Sequence, residues 1–534
     1  MRLVMTASPA SRRAGILVPL FSIPSSRSWG IGEIADLEHI AQWLDAAGQR
    51  VLQLLPINEM PPDERSPYSA LSAMAIDPQF ISMGGVEDFD AIGGEAALPA
   101  ADRARLDAAR SSDTIDYATI RPLKLDVLRR AFACFRAQEC RNRSARFAEF
   151  KAFCEDQAWW LEDYALFRAL HARYDERPWM EWPAPLRDRE ADALQSARAE
   201  LADAVTFRQY LQWLAAVQWA RVRSRTGRVQ LFGDLPFMVS TDSADVWARQ
   251  DEFRLDVSVG VPPDAFSDTG QDWGLPAYRW DVFAARDFDW LRHRARRNAD
   301  LYRGYRIDHL VGFYRTYFRE KSGQGAGFTP PDESSQQALG EKVLMTFREA
   351  GAEIIAEDLG TVPDFVRGSL TRLGVPGYKV LRWERYWDEA GQPFRDPAEY
   401  ASLAVATSGT HDTEPMAVWW EQASLDERAA VLMIPSIRDR LDETSRASAL
   451  QHQEFSQAIR SALLESLYSS RADLLLLPIQ DVFGWRDRIN QPATVSDGNW
   501  TWRLPWPSDT LSAQPEAVAV ARELRDLSER YGRA

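Results

Sequence analysis

The chain of 534 residues contains only three cysteines and six histidines. Cys134, Cys140 and Cys154 have neither the even count of a disulfide framework nor the CxxC spacing of a zinc site, so we interpret them as reduced packing residues. An HExxH motif, the helical signature of many zinc hydrolases, is also missing. These absences predict a protein that functions without disulfides, a metal ion or another cofactor.

Long hydrophobic runs and an excess of positive charge are missing as well. The apolar run at 16–21 contains Pro19 and is too short for a signal-peptide core or a membrane span. The formal net charge of −15 opposes binding to nucleic acid or to an anionic membrane. We therefore expect a cytoplasmic protein with neither of these partners and with a neutral or cationic ligand.

Short apolar runs that end in a polar or turn residue recur along the chain. There are eight of them, at 15–19, 51–56, 229–234, 302–308, 353–357, 378–382, 403–407 and 473–478. Helical patterns lie between most of them, for example at 34–47, 343–350, 363–373 and 425–431. Such alternation with continuously apolar strands is typical of a parallel sheet buried on both faces. Eight units predict an α/β protein with a closed (β/α)8 TIM barrel, whose active site lies at the C-terminal strand ends.

The spacing of the runs indicates how the chain is divided. Residues 1–94 are interpreted as the start of the barrel, 95–228 as a mainly helical insertion, and 229–534 as the remainder of the barrel. The stretch 256–280 is rich in Pro, Gly and aromatic residues and has no clear pattern, so we predict a long loop that acts as a lid.

The fourth run, Gly304-Tyr305-Arg306-Ile307-Asp308-His309, ends in an arginine, a carboxylate and an imidazole. Side chains two residues apart lie on the same face of a strand, so Arg306 is expected to hold Asp308 in its ionised form. Taken alone, such a pair is more often a structural ion pair than a catalytic one.

Two more carboxylates follow other strands, Glu357 after the fifth run and Asp412 after the seventh. Barrel geometry predicts that these tips converge with Asp308. Clustered carboxylates indicate either a metal site or glycosidic-bond chemistry, and the sequence has no recognisable metal motif. Glycosidic chemistry needs one ionised and one protonated carboxyl group, and Arg306 assigns the ionised nucleophile to Asp308 and the acid/base to Glu357.

Several motifs occur together in an order that resembles one enzyme family. They are Gly30-Ile31-Gly32, Gln53-Leu54-Leu55-Pro56-Ile57-Asn58, Ser66-Pro67-Tyr68-Ser69, Gly233-Asp234-Leu235-Pro236, Pro262-Pro263-Asp264-Ala265-Phe266-Ser267, Gly270-Gln271-Asp272-Trp273-Gly274, Pro478-Ile479-Gln480-Asp481 and Asn499-Trp500, with the three carboxylate clusters. Over nearly its whole length the chain resembles the 4-α-glucanotransferases, also called amylomaltases or disproportionating enzymes, of glycoside hydrolase family 77.

The resemblance implies a retaining double displacement on α-1,4-glucans. Asp308 is expected to form the covalent glucosyl-enzyme, Glu357 to act as acid and base, and Asp412 to hold the distorted sugar in the transition state. The substrate-binding residues that it implies are Tyr68, Asp234, Gln271, Trp273, Arg306, His411 and Asn490. Tyr68 resembles a platform under the sugar, and Gln271 with Trp273 resembles a lid above it. For His309, contact with substrate and structural support both stay open.

The chain departs from the family pattern around the acceptor side. The differing positions are Leu275, Val311, Trp383 with its neighbour Arg382, Thr413, Gln491 and Ala493. None of them is one of the three carboxylates, so they bear on chain-length preference and on the balance of transfer and hydrolysis.

The resemblance also implies the partners of the enzyme. We expect maltooligosaccharides and starch- or glycogen-derived α-1,4-glucans as substrates, and glucose as an acceptor. One alternative is an α-1,4-glucan hydrolase on the same scaffold, which the apolar and aromatic lid argues against because it should exclude water. Another is a catalytically inactive glucan-binding protein, which the presence of all three carboxylates disfavours.

Overall fold

The computed structural model describes residues 12–263, 270–323, 325–492, 494 and 496–534. Eight parallel strands close into a barrel in the order β1-β12-β11-β10-β9-β6-β3-β2. The strands of the described chain are β1 (Arg13–Leu17), β2 (Val51–Gln53), β3 (Gln230–Leu235), β4 (Phe253–Val261), β5 (Gln271–Tyr278), β6 (Gly304–Ile307), β7 (Thr316–Glu320), β8 (Ala326–Thr329), β9 (Glu353–Ala356), β10 (Gly377–Val380), β11 (Ala404–Thr407) and β12 (Leu474–Pro478).

All eight predicted barrel strands are present, and the predicted TIM barrel is confirmed. Strands β6, β9 and β10 end before the polar tips of their runs, because Asp308, Glu357 and Arg382 lie beyond the last ladder pair. The barrel interior contains Phe232, whose ring lies against Gly304 of the neighbouring strand. A Cβ atom on Gly304 would come 2.7 Å from that ring, so glycine is required for this close approach.

Helices surround the barrel. In chain order the α-helices of the described chain are α1 (Asp36–Ala46), α2 (Glu87–Ala91), α3 (Ala100–Ser111), α4 (Tyr117–Phe135), α5 (Ala145–Asp156), α6 (Ala158–Arg173), α7 (Ala184–Arg187), α8 (Ala191–Glu200), α9 (Ala202–Arg223), α10 (Ala244–Ala248), α11 (Trp280–Ala285), α12 (Asp289–Leu301), α13 (Val311–Tyr314), α14 (Glu333–Glu349), α15 (Asp364–Leu373), α16 (Met416–Gln422), α17 (Leu425–Leu432), α18 (Pro435–Arg438), α19 (Glu443–Gln451), α20 (Gln457–Ser469), α21 (Ile479–Phe483) and α22 (Pro515–Arg530). None of these helices has both the length and the apolar character needed to cross a bilayer.

Helices α2 to α9 fill the long interval between β2 and β3. A buried ion-pair network fastens them to the loop that follows β2, because Glu59 accepts hydrogen bonds from Arg168 of α6 (2.9 Å) and Arg208 of α9 (3.3 Å). The same loop carries Tyr68 nine residues later. The division at 94 and 228 into barrel, insertion and barrel remains our proposal.

A second sheet, of four antiparallel strands in the order β5-β4-β7-β8, lies outside the barrel. The prediction of an unpatterned loop at 256–280 was therefore wrong, since β4 and β5 pair as a hairpin on either side of residues outside the described chain. The alternation of Phe253, Leu255 and Val257 with polar residues was the available signal. Gly274 and Pro276 are typical of turns, so the sequence of β5 did not predict a strand. The proline is tolerated because β5 is an edge strand.

Candidate active site

One buried guanidinium organises the end of β6. Arg306 lies on the strand, and its Nη2 is 2.9 Å from Oδ1 of Asp308, the first residue after the strand. Its Nη1 donates to both carboxylate oxygens of Asp234 at 2.9 and 2.7 Å. The two-residue spacing thus brings Arg306 and Asp308 together as expected, and the neighbouring strand β3 supplies a second carboxylate to the same cation.

Asp234 lies beneath the site and not on its surface. Its side chain is fully buried, and its Oδ2 also accepts a hydrogen bond of 2.8 Å from the Tyr68 hydroxyl. Arg306 and Tyr68 cover the carboxylate, and the contact of Asp234 with substrate stays a prediction. Arg306 is covered in the same way, with 5% of its surface exposed. Both residues position the groups above them.

Glu357 follows β9 and has a different environment. Its Oε2 accepts a hydrogen bond from the backbone N–H of His309 (2.7 Å), and its Oε1 accepts one from Leu359 (3.3 Å). Burial raises the pKa of Glu357 to about 7; Arg306 opposes this shift and the negative charge of Asp308 adds to it. A carboxyl group with this pKa is substantially protonated at neutral pH.

Asp412 follows β11 and is held by polar neighbours. Its Oδ1 accepts a 2.6 Å hydrogen bond from Nδ2 of Asn490, and its Oδ2 is 3.3 Å from Nε2 of His411. Burial by itself raises the pKa of Asp412, but His411 and Asn490 outweigh burial and hold the pKa well below its usual range. Burial also disfavours the charged form of His411. The negative charge of Asp412 and its hydrogen bond to the imidazole outweigh burial, so the pKa of His411 is raised.

Tyr68 connects these groups. Its hydroxyl oxygen is 3.0 Å from Nε2 of His411, and the two rings stack with centroids 5.4 Å apart. The ring of Trp500 lies 5.9 Å from Tyr68 and 5.8 Å from His411. Trp500 was not among the predicted site residues, although the Asn499-Trp500 motif contained the signal.

The residues described so far form the bottom of one cleft. We call this group the cleft floor, and its members are Asp234, Arg306, Asp308, Glu357, His411, Asp412 and Tyr68.

The hairpin formed by β4 and β5 lies over the floor, and we call it the cover. Nε1 of Trp273 donates to Oε1 of Gln271 at 3.0 Å, and the Trp273 ring meets His309 edge to face at 4.9 Å. His309 has a left-handed backbone with φ of 41°, and burial lowers the pKa of its imidazole to about 4. His309 is thus a neutral side chain between floor and cover.

The cleft between floor and cover has a volume of about 290 Å³. Five of the predicted residues line it, namely Tyr68, Trp273, Asp308, Asp412 and Asn490, together with Ser69, Pro236, Phe237, Met238, Leu275 and Trp500. Residues separated by more than 400 positions in the chain therefore share one cleft. Its chemistry combines carboxylates with aromatic faces, which is typical of sites for neutral polyhydroxylated ligands.

Comparison with known proteins agrees with this geometry. The sequence profile of the 4-alpha-glucanotransferase family matches residues 18–509. The chain belongs to this family. It is 33% identical to the 4-alpha-glucanotransferase of Chlamydia pneumoniae over 501 residues, which cover 92% of this chain and 91% of the relative. It is also 33% identical to the 4-alpha-glucanotransferase of Thermus thermophilus over 537 residues, covering 97% and 99%.

A solved structure supports the same assignment. The amylomaltase of Streptococcus agalactiae in complex with acarbose superposes with a TM-score of 0.80 at 27% identity, covering 98% of this chain and all of that chain. The prediction of a 4-α-glucanotransferase is confirmed by these comparisons, and they give no support to the hydrolase alternative.

The departures from the family pattern have different surroundings. Leu275 lines the cleft, Val311 is buried in the core beside it, and Thr413 makes local bonds through Oγ1 to the N–H and carbonyl of Thr410. Gln491 donates its backbone N–H to Oδ1 of Asn499, and Trp383 is exposed. Ala493 lies outside the described residues, as does 264–267 of one family motif.

Within the described ranges, no group of three or more His, Cys, Asp or Glu side chains is arranged to hold a metal ion. The three carboxylates are instead engaged by Arg306, by backbone N–H groups and by Asn490 with His411. The absence of a metal ion or another cofactor from the reaction stays a prediction.

Proposed function

We propose that this cleft transfers α-1,4-glucan segments with Asp308 as nucleophile and Glu357 as acid/base. The observation that carries the proposal is the contrast between the two carboxyl groups. Arg306 forms an ion pair with Asp308 at 2.9 Å, whereas burial raises the pKa of Glu357 to about 7. A retaining mechanism needs this division of roles.

The reaction has two displacements at the anomeric carbon. First, an Asp308 oxygen forms an ester bond to this carbon as the glycosidic bond breaks, and the Glu357 proton passes to the leaving oxygen. Second, Glu357 removes a proton from the hydroxyl of an acceptor sugar, which attacks the same carbon and releases Asp308. Each displacement inverts the anomeric configuration, so the product retains it.

Asp412 and His411 bind hydroxyl groups of the reacting sugar. Asp412 lines the cleft and is kept ionised by Asn490 and His411, so it can accept hydrogen bonds from two hydroxyls. His411 donates to the same ring when it carries its proton. Asn490 lines the cleft beside Asp412 and offers a further polar contact.

The substrates we propose are maltooligosaccharides and starch- or glycogen-derived α-1,4-glucans, with glucose as an acceptor. Four aromatic side chains line the cleft and suit the C–H faces of glucose rings, namely Tyr68, Phe237, Trp273 and Trp500. We further propose that Gln271 and Trp273 cover the bound sugar from the hairpin.

The test is the reaction of the wild-type enzyme with maltotriose alone. Water at roughly 55 M competes for the glycosyl-enzyme, so transfer prevails only if acceptor is held at high effective molarity and water is kept out of line. We expect glucose and a ladder of longer maltooligosaccharides, with little net gain in reducing ends, because transfer conserves them. Release of reducing ends at the rate of total bond cleavage would contradict the proposal.

A further inference from the structure

Two tryptophans are exposed in the segment that follows β10. Trp387 has 59% and Trp383 has 43% of its surface exposed. The other large hydrophobic side chains with comparable exposure in the described chain are Met180, Val217, Met345, Leu425 and Met433, all aliphatic. Exposed tryptophan is costly in water, so a pair of them indicates a surface that binds something.

A short hairpin carries Trp387 in its turn and directly follows Trp383. The N–H of Tyr386 donates to the carbonyl of Pro393 at 2.9 Å, and the N–H of Arg395 donates to Glu384 at 2.9 Å. The guanidinium of Arg385 lies 3.6 Å from the centroid of the Phe394 ring. The exposure of Trp387 is therefore built into a folded element, which lowers the entropy lost when a ligand stacks on it.

The hairpin lies on the catalytic face. Strand β10 pairs with both β9 and β11, the strands that precede Glu357 and Asp412, and all three are parallel. The chain therefore leaves β10 at the same barrel end as the two carboxylates.

Ion pairs join the start of this hairpin to the cleft floor. Arg382, next to Trp383, contacts Oε1 of Glu414 at 2.7 Å. The other oxygen of Glu414 is 3.8 Å from Arg488, and Arg488 donates to the backbone carbonyl of Asp412 at 2.6 Å. These contacts link Arg382, the residue before Trp383, to the backbone of Asp412 at the cleft.

We propose that Trp387, with Trp383, forms a stacking platform for an α-1,4-glucan chain that extends out of the catalytic cleft. This inference rests on the proposed function, because it assigns the same substrate to a surface beyond the catalytic residues. The flat indole suits the C–H face of glucose, and a neutral ligand meets no opposition from the net charge of −15. The platform acts only on chains long enough to reach it, so it selects long glucans over maltotriose.

The experiment compares Trp387→Ala with the wild type on maltotriose and on amylose. We expect the KM for amylose to rise about tenfold, the effect of losing one good aromatic contact, while the KM for maltotriose changes less than about twofold. Trp387→Phe should recover part of the loss. Met433→Ala removes a comparably exposed side chain outside this hairpin. It should leave the KM for maltotriose and the KM for amylose unchanged.

Binding without turnover gives a second readout. In an Asp308→Asn background, Trp387→Ala should weaken maltoheptaose binding, measured by calorimetry, by a similar factor. Equal effects on short and long substrates, or no effect on either, would overturn the platform. A sedimentation coefficient of the Trp387→Ala variant that differs from that of the wild type would also overturn the platform. It would show that this surface forms an interface between protein molecules. Failure of the wild type on maltotriose would instead refute the proposed function.

Discussion

The cleft floor and the cover are built on different physical principles. In the floor, Arg306 and Asp234 are almost completely buried, and their charges are matched by direct contacts. In the cover, Gln271 is exposed, Trp273 is half-buried, and the hairpin lies at the edge of a small sheet outside the barrel. A rigid, low-dielectric floor is suited to setting proton affinities, whereas a peripheral hairpin is suited to controlling access of water and sugar.

This contrast predicts that changes in the floor affect the rate of bond cleavage and changes in the cover affect the fate of the intermediate.

The largest effect is expected for Asp308→Asn, which keeps the shape of the side chain but cannot form the glycosyl ester. Turnover should fall by roughly four orders of magnitude or more, with maltooligosaccharide affinity nearly unchanged. Activity assays combined with calorimetric titration measure both.

Asp358→Asn is the matched control, because Asp358 is also a carboxylate after a barrel strand but accepts a hydrogen bond from Tyr378 that an amide can still accept. It should retain activity near that of the wild type. Activity of Asp308→Asn within about tenfold of the wild type would refute the nucleophile assignment.

The next largest effect is expected for Glu357→Gln. Its activity on maltotriose should fall by roughly three orders of magnitude, because the leaving sugar needs a proton. With α-glucosyl fluoride, whose leaving group needs none, the first step should proceed and the covalent intermediate should accumulate on Asp308. Intact-mass and peptide mass spectrometry would identify the adduct, and an adduct on another residue would reverse the roles.

Tyr68→Phe tests the connection between the parts of the floor. It removes the hydroxyl that donates to Asp234 and contacts His411, so we expect kcat to fall by about ten- to a hundredfold, the usual range for a buried hydrogen bond to a charged group. Tyr378→Phe, which removes a buried hydroxyl bonded to neutral Gln53 inside the barrel, is the control. Equal losses in both variants would show that Tyr68 contributes only stability.

The pH dependence tests the environment of Glu357. Its pKa is raised to about 7, and the protonated form is needed to protonate the leaving oxygen. Activity that depends on this acid is therefore fully present below pH 7 and is lost as the pH rises through 7, by about tenfold per unit well above it. The alkaline limb of kcat/KM against pH should lie near 7 and should disappear in Glu357→Gln assayed with the fluoride donor.

The smallest effect is expected in the cover. Trp273→Ala should lower transfer more than hydrolysis and so raise the ratio of free glucose to longer products by about three- to tenfold, because one aromatic contact with the acceptor is lost and water gains access. Trp159→Ala, a half-buried tryptophan of helix α6 that stacks on His293, is the control. If total cleavage falls while the product ratio stays unchanged, Trp273 affects bond cleavage as the floor residues do. The proposed difference between floor and cover would then be refuted.

Much of this architecture was readable from local pattern. The eight barrel strands were predictable because each lies in a short, mainly apolar run, and helical patterns separate most of these runs. The pair Arg306 and Asp308 was predictable because two residues on one strand share a face. The β4–β5 hairpin was missed because Gly274 and Pro276 interrupt the alternation that identifies a strand.

The sequence by itself determined the barrel and the family, since these depend on strand periodicity and on short motifs. The same motifs are the basis on which we propose the three carboxylates as the catalytic residues. Only the tertiary structure decided how Arg306 is shared between Asp234 and Asp308, that Asp234 is covered by Tyr68, and that Trp387 is exposed. Tyr68 and Asp234 are 166 positions apart, and Tyr68 and His411 are 343 apart. Contacts of that range depend on which strand ends meet when the barrel closes, and the pKa of Glu357 depends on the burial that this closure produces.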